Sequence, residues 1–173
     1  MGGFVRVLLT GLAIVGATIV GAPFAEDDRA HACSCSSTTL RESTRSADVV
    51  FVGRVTASDA DELINDGAVS DEAATFEFEV SGYYKTSGDA RTDAIVVRSL
   101  ASESCGIGLA PGDEYVIFAR RHGNDTYWGP NVEPHELVSS LCDGNRRFGP
   151  TVERRLGEPS IEPVAAPPST SSP

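Results

Sequence analysis

Cys33 and Cys35 stand one residue apart in the stretch AHACSCSS, and the 173 residues hold only two other cysteines, Cys105 and Cys142. The pair follows a segment with the layout of a secretory leader. Arg6 opens it, the apolar run VLLTGLAIVGATIVGAPF covers Val7 to Phe24, and Ala30-His31-Ala32 supplies an A-x-A cleavage site. Residues 1–32 therefore read as a signal peptide, and cleavage makes Cys33 the first residue. Glycines at 11, 16 and 21 and Pro23 argue against the same run serving as a membrane span.

Export places the cysteines in an oxidising compartment, where four of them in a small domain read as two disulfides. A bridge between Cys33 and Cys35 closes a strained ring. Both members of the pair are therefore expected to reach to Cys105 and Cys142, in one of two pairings. Each such bridge closes a loop of about 70 to 110 residues and contributes roughly 4 to 5 kcal/mol in the loop-entropy model. A lipidated Cys33 would leave an odd number of thiols, and a zinc site would need a second close cysteine pair, which the chain lacks.

The formal charge is −11; setting aside Arg6, Arg29, Glu26, Asp27 and Asp28 of the leader leaves 12 basic against 22 acidic residues, a net of −10. So acidic a chain is a poor match for nucleic acid or for an anionic membrane surface. A soluble extracellular monomer is the expectation, secreted or held near the cell envelope.

The mature chain reads as mainly β. Polar residues at Ser36, Ser37 and Thr38 precede a short helix around Leu40, Arg41 and Glu42. Val49–Val55 is a β-branched run. TFEFEV alternates Phe76, Phe78 and Val80 against Glu77 and Glu79, and extends through Gly82, a candidate bulge, to Lys85. DAIVVRSL, Asp93 to Leu100, and EYVIFARR, Glu114 to Arg121, supply a third and fourth strand, and DTYWG a short fifth. The acidic segment from Ser58 to Ala74 reads as a solvent loop, and VEPHELVSSLCD as a helix led by Pro134 that carries Cys142. Five strands with small flanking helices fit a closed barrel of the OB type over residues 33–152. Residues 153–173, rich in proline and serine, read as a disordered tail.

No catalytic constellation is present: there is no G-x-S-x-G, no H-E-x-x-H and no glycine-rich phosphate loop. His122 and His135 read as surface residues. The aromatic residues Phe76, Phe78, Tyr83, Tyr84, Phe118, Tyr127 and Trp128 read as core. The chain is expected to be no enzyme, with no cofactor and no metal of its own.

The start CSCSSTTLRESTRSADVVFVGRV resembles the start of the tissue inhibitors of metalloproteinases, with C-x-C at residue one, a short helix, then A-D-V-V and a strand. ESCGIGLAPGDEYVIFARR and SSLCD are similar to later segments of that family in the same order, so that residues 33–148 resemble its netrin-like (NTR) domain. The family's third bridge and its C-terminal disulfide-rich domain have no counterpart here.

The resemblance implies an OB-type barrel with bridges Cys33–Cys105 and Cys35–Cys142. It also implies inhibition of zinc metalloproteases: the free amine and carbonyl of Cys33 chelate the protease's catalytic zinc, displacing water from the open position. Ser34, Cys35 and Ser36 then line the protease cleft, with Ser102, Glu103 and Ser104 as a second contact edge. NTR domains also occur as non-inhibitory extracellular protein-binding modules, which is the alternative the resemblance allows.

Overall fold

Val49–Ser58 (β1), the first strand of the structure, is buried at each of its first five positions. An amphipathic strand has one dry face, so this one is covered on both, and that requirement shapes the architecture around it. The structure, a computed structural model, describes residues 34–65, 72–87, 91–100, 105–123 and 128–165. The expected leader, residues 1–32, and Cys33 lie outside them.

In chain order the elements are α1 (Leu40–Ser46), β1, α2 (Ala60–Asn65), β2 (Ala73–Lys85), β3 (Ala94–Leu100), β4 (Glu114–Arg121), β5 (Leu137–Val138), a 3-10 turn (Leu141–Asp143), β6 (Arg146–Arg147) and α3 (Pro150–Leu156). β1 pairs antiparallel with β2 on one side and β4 on the other. β2 continues into β3, from Ala73 opposite Leu100 to Glu79 opposite Ala94. β5 bridges β3 in parallel and β4 antiparallel, which closes a five-stranded barrel, and β6 adds to the outside edge of β4. The protein is thus mainly β, with an OB-like closed barrel and short helices.

The alternation in TFEFEV does what its pattern requires: Phe76, Phe78 and Val80 point into the barrel while Glu77 and Glu79 face water. Pairing of β1 with β2 slips at three places, one of them at Ser81 beside Gly82. Bulges coil a strand pair, and coiling is what lets so few strands close. The barrel interior holds Phe51, Phe76, Phe78, Tyr83, Val97 and Ile117 among others. A second layer covers the outer face of β1 and β4, where Leu40 and Val152 from α1 and α3 meet Val50, Val116 and Phe118. Trp128, Val132 and Val138 close a third cluster over Ala73 and Leu100.

Four expectations need correction. The Pro134-led helix does not form. Leu137 and Val138 are instead the two-residue β5, because the free edges of β3 and β4 need a hydrogen-bonding partner there. The fifth strand is therefore β5 and not DTYWG, whose Trp128 sits in a turn and whose residues 125–127 lie outside the described ones. The acidic segment contains the helix α2, started by the Ser58 hydroxyl accepting from the Ala60 amide at 3.1 Å. His122 is buried, 6% exposed, because its amide donates to Glu136 and its carbonyl accepts from His135. His135 is exposed, as expected.

The tail is the largest difference. Residues 150–156 form α3, and residues 158–165 run back over the barrel as a strap. The Tyr83 amide donates to the Ile161 carbonyl at 2.9 Å, the Ser160 and Ile161 amides donate to the Tyr83 carbonyl, and Asp93 donates to Val164. The strap thereby covers the part of β2 that overhangs β3, an edge otherwise unpaired.

Pro159 seats directly on Gly82: a Cβ there would lie 2.7 Å from the proline Cβ. Gly82→Ala is expected to destabilise the protein by about 1–3 kcal/mol through this overlap. A lower urea midpoint checks it, and removing residues 158–173 from both proteins should erase most of the difference between them.

Candidate functional site

Residues 34–39 carry no regular structure and are exposed throughout. Ser34, Cys35 and Ser36 therefore form one contiguous exposed stretch, as a protein-contacting segment requires. Two anchors hold it. At its end, Thr39 caps α1: the Glu42 amide donates to the Thr39 hydroxyl at 3.3 Å, and the Thr39 amide and hydroxyl donate to the Glu42 carboxylate, each at 2.8 Å. The Thr39 amide, then its hydroxyl, hold the Glu42 carboxyl below its ordinary value. Near its start, Cys35 is bridged to Cys142, with the Cα atoms 5.1 Å apart across 107 residues of chain.

Helix α1 is itself fixed at both ends. The Lys85 ammonium at the end of β2 donates to the carbonyls of Thr44 and Arg45, at 3.1 and 3.2 Å, and to that of Ala47. These are the carbonyls a helix leaves unpaired at its C-terminus, and a cation there also meets the negative end of the dipole.

The turn that carries Cys142 is equally well determined. The Ser140 amide and hydroxyl donate to Asp143, at 2.7 and 2.9 Å, and Arg120 pairs with the other oxygen of Asp143 at 3.2 Å. Asn145 holds the turn to the barrel: its amide group donates to Ser139 and Ser140, and its oxygen accepts from the Phe118 amide at 2.8 Å. Gly144 takes φ +96°, and a Cβ on it would lie 2.5 Å from the Ser43 hydroxyl. Only glycine lets the turn close against α1 here.

Cys105 joins the same cluster. It is disulfide-bonded, it has a φ of +73°, and its carbonyl accepts from the Leu141 amide at 3.0 Å. The expected partner, Cys33, lies outside the described residues, as do Ser102, Glu103 and Ser104. Of the residues singled out in the sequence, the structure thus gathers Ser34, Cys35, Ser36, Cys105 and Cys142 at one end of the barrel.

Three neighbours carried no sequence signal. Leu141, beside the bridge, is 52% exposed, one of three large apolar side chains exposed among the described residues. The Arg120 guanidinium sits 6.0 Å over the Trp128 ring as well as against Asp143, so the ridge presents an apolar tip beside an ordered cation. Nothing in the sequence marked Asn145 as the residue that positions the turn.

Among the described residues no group of three or more histidine, cysteine or acidic side chains is placed to hold a metal, and no helix is long and apolar enough to cross a membrane. No protein-family model matches the sequence, and comparison with curated proteins finds no match either.

Proposed function

We propose that the protein is a secreted inhibitor of zinc metalloproteases that acts through its Cys33 end. The observation that carries this reading is the exposed segment Ser34–Thr39, stapled at Cys35 to the Cys142 turn and at Thr39 to a helix capped from both sides. A segment so restrained loses little freedom on entering a cleft, which is how rigid inhibitors save binding energy. An α-amino group has a pKa of about 7.7–8.0, so it can give up its proton and bind a zinc ion at neutral pH. The amine and carbonyl of residue 33 together make a five-membered chelate on the open position of such a zinc. The protease supplies the zinc, and this chain's part is to hold the chelating residue still. Disulfide bonding at Cys35, Cys105 and Cys142 supports the extracellular setting.

A second reading, a non-inhibitory extracellular binding module, is favoured by Leu141 and the Arg120–Trp128 stack, which offer a contact surface independent of a free amine.

The test titrates protein that begins at Cys33 against a panel of zinc metalloproteases, beside the same protein carrying one extra N-terminal alanine. Stoichiometric inhibition that the added alanine abolishes is the expected result. Absence of inhibition, or equal inhibition by both forms, overturns the chelation reading and leaves the binding module.

A further inference from the structure

The net charge of −10 after Ala32 is not spread evenly over this fold. Residues 40–48 and 146–158, which build α1, β6 and α3, hold six arginines and four carboxylates, whereas the rest of the chain after Ala32 holds six basic and eighteen acidic residues. Both helices lie on the same outer layer, over Val50, Val116 and Phe118. One side of an acidic protein is therefore locally basic.

Four of these arginines, Arg41 and Arg45 on α1 and Arg154 and Arg155 on α3, are exposed. Among the described residues the ion pairs are Arg120–Asp143 and Arg147–Asp113, so none of the four is spent on a carboxylate bridge. The four nearby acids are fewer than the arginines, and two of them already accept from backbone amides, Asp48 from Arg121 and Glu42 from Thr39, although Arg45 also acts on Glu42. Glu153 and Glu158 are exposed and lie near enough to Tyr84 to help push its phenol up, after burial itself. Arg41 and Arg45 are four residues apart on one helix, which sets their Cβ atoms about 5–6 Å from each other, the scale of neighbouring charges on a polyanion.

We propose that this arginine face binds an extended polyanion carrying phosphate or sulfate groups. The guanidinium fork matches a tetrahedral oxyanion with two parallel hydrogen bonds, and all the free cations here are arginine, the one lysine nearby being committed to the carbonyls of α1. Two observations select a thin flexible chain over other anionic partners. The large apolar side chains exposed among the described residues are Val96, Leu141 and Val164, none of them on α1, β6 or α3, so the face lacks the apolar anchor on which protein interfaces are built. A membrane sheet would in addition meet the acidic flanks, whereas a narrow chain lies within the ~8 Å over which charges act at physiological salt and senses only the arginines.

The experiment measures binding of long-chain inorganic polyphosphate and of heparin to the disulfide-bonded protein across a salt series. It compares the parent with R41Q/R45Q, R154Q/R155Q and R154K/R155K. The parent is expected to bind at low salt, with either polymer serving. Preference for polyphosphate identifies phosphate as the recognised group, and preference for heparin identifies sulfate. Each glutamine pair should weaken binding by at least about tenfold and flatten the slope of log affinity against log salt by about 2. The lysine pair should keep the slope and lose affinity through the missing fork.

All four substituted positions are exposed, and an unchanged unfolding midpoint confirms intact folding. The proposal is overturned if the parent binds neither polymer, if the glutamine variants bind as the parent does, or if anionic phosphatidylserine vesicles bind and the polymers do not.

Discussion

Protein in which Cys35 and Cys142 are both replaced by serine is expected to unfold with about 4.7 kcal/mol less free energy than the parent, and with a midpoint about 15 °C lower. The magnitude follows from their sequence separation of 107, since a cross-link over so long a loop removes much of the freedom of the unfolded chain. The native state loses something too. The bridge is what joins the exposed segment to the Cys142 turn, so its loss frees Ser34–Thr38 from that end while the Thr39 cap on α1 persists.

Thermal and urea unfolding followed by far-ultraviolet circular dichroism would read the shift, and limited proteolysis would locate the new cleavage at residues 34–39. A loss below about 1 kcal/mol would mean that the unfolded chain is already restrained at this point. The turn itself should survive, because Asn145 and the Arg120–Asp143 pair hold it without the sulfur.

The parts of this fold that were legible in the sequence are those where burial and local pattern agree. TFEFEV alternates because one face of β2 lines the barrel, and EYVIFARR forms β4 from its first residue to its last. The cysteine positions pointed to the end of the barrel where the candidate site lies. The parts that were not legible are set by pairing across long separations.

VEPHELVSSLCD has the residues of a helix, yet Leu137 enters the barrel cluster and Val138 the neighbouring one. That alternation appears only once β3 and β4 are present to be joined. His135 accepts φ +75° in the same stretch for the same reason. The strap was hidden by composition. Its prolines and serines bury little apolar surface, but Ile161 and Val164 meet unpaired backbone groups on Tyr83, Arg91 and Asp93 that no local reading of either segment reveals. His122 is held by two backbone partners thirteen and fourteen residues on, His135 and Glu136, contacts its own neighbours do not encode. At the candidate site, too, the exposed stretch was legible and Asn145, which orders the turn beneath it, was not.

Phe51→Ala is expected to cost about 4 kcal/mol, toward the middle of the range for removing a buried aromatic ring. Phe51 is fully buried, meets Phe78 edge to face at 5.2 Å between ring centres, and leans on Tyr83 at 6.1 Å. What keeps the cost high is that nothing nearby can move into the space. Gly53, two residues along the same strand, has no side chain to offer: its ring-facing side is filled by Phe51 itself, whose Cε2 lies 3.1 Å from where a Cβ would stand, with the Glu79 carbonyl at 3.0 Å.

Tyr83 is tied down by its hydroxyl, which donates to the Thr92 carbonyl at 2.6 Å. β1 cannot shift either, being paired along both edges. A cavity that cannot collapse carries the full penalty of lost contacts. Phe51→Leu, which leaves most of the volume filled, should cost about half as much. Urea denaturation of the two variants beside the parent measures the ratio, and near-equal losses would show that the edge-to-face contact with Phe78, and not the filled volume, is what the ring supplies.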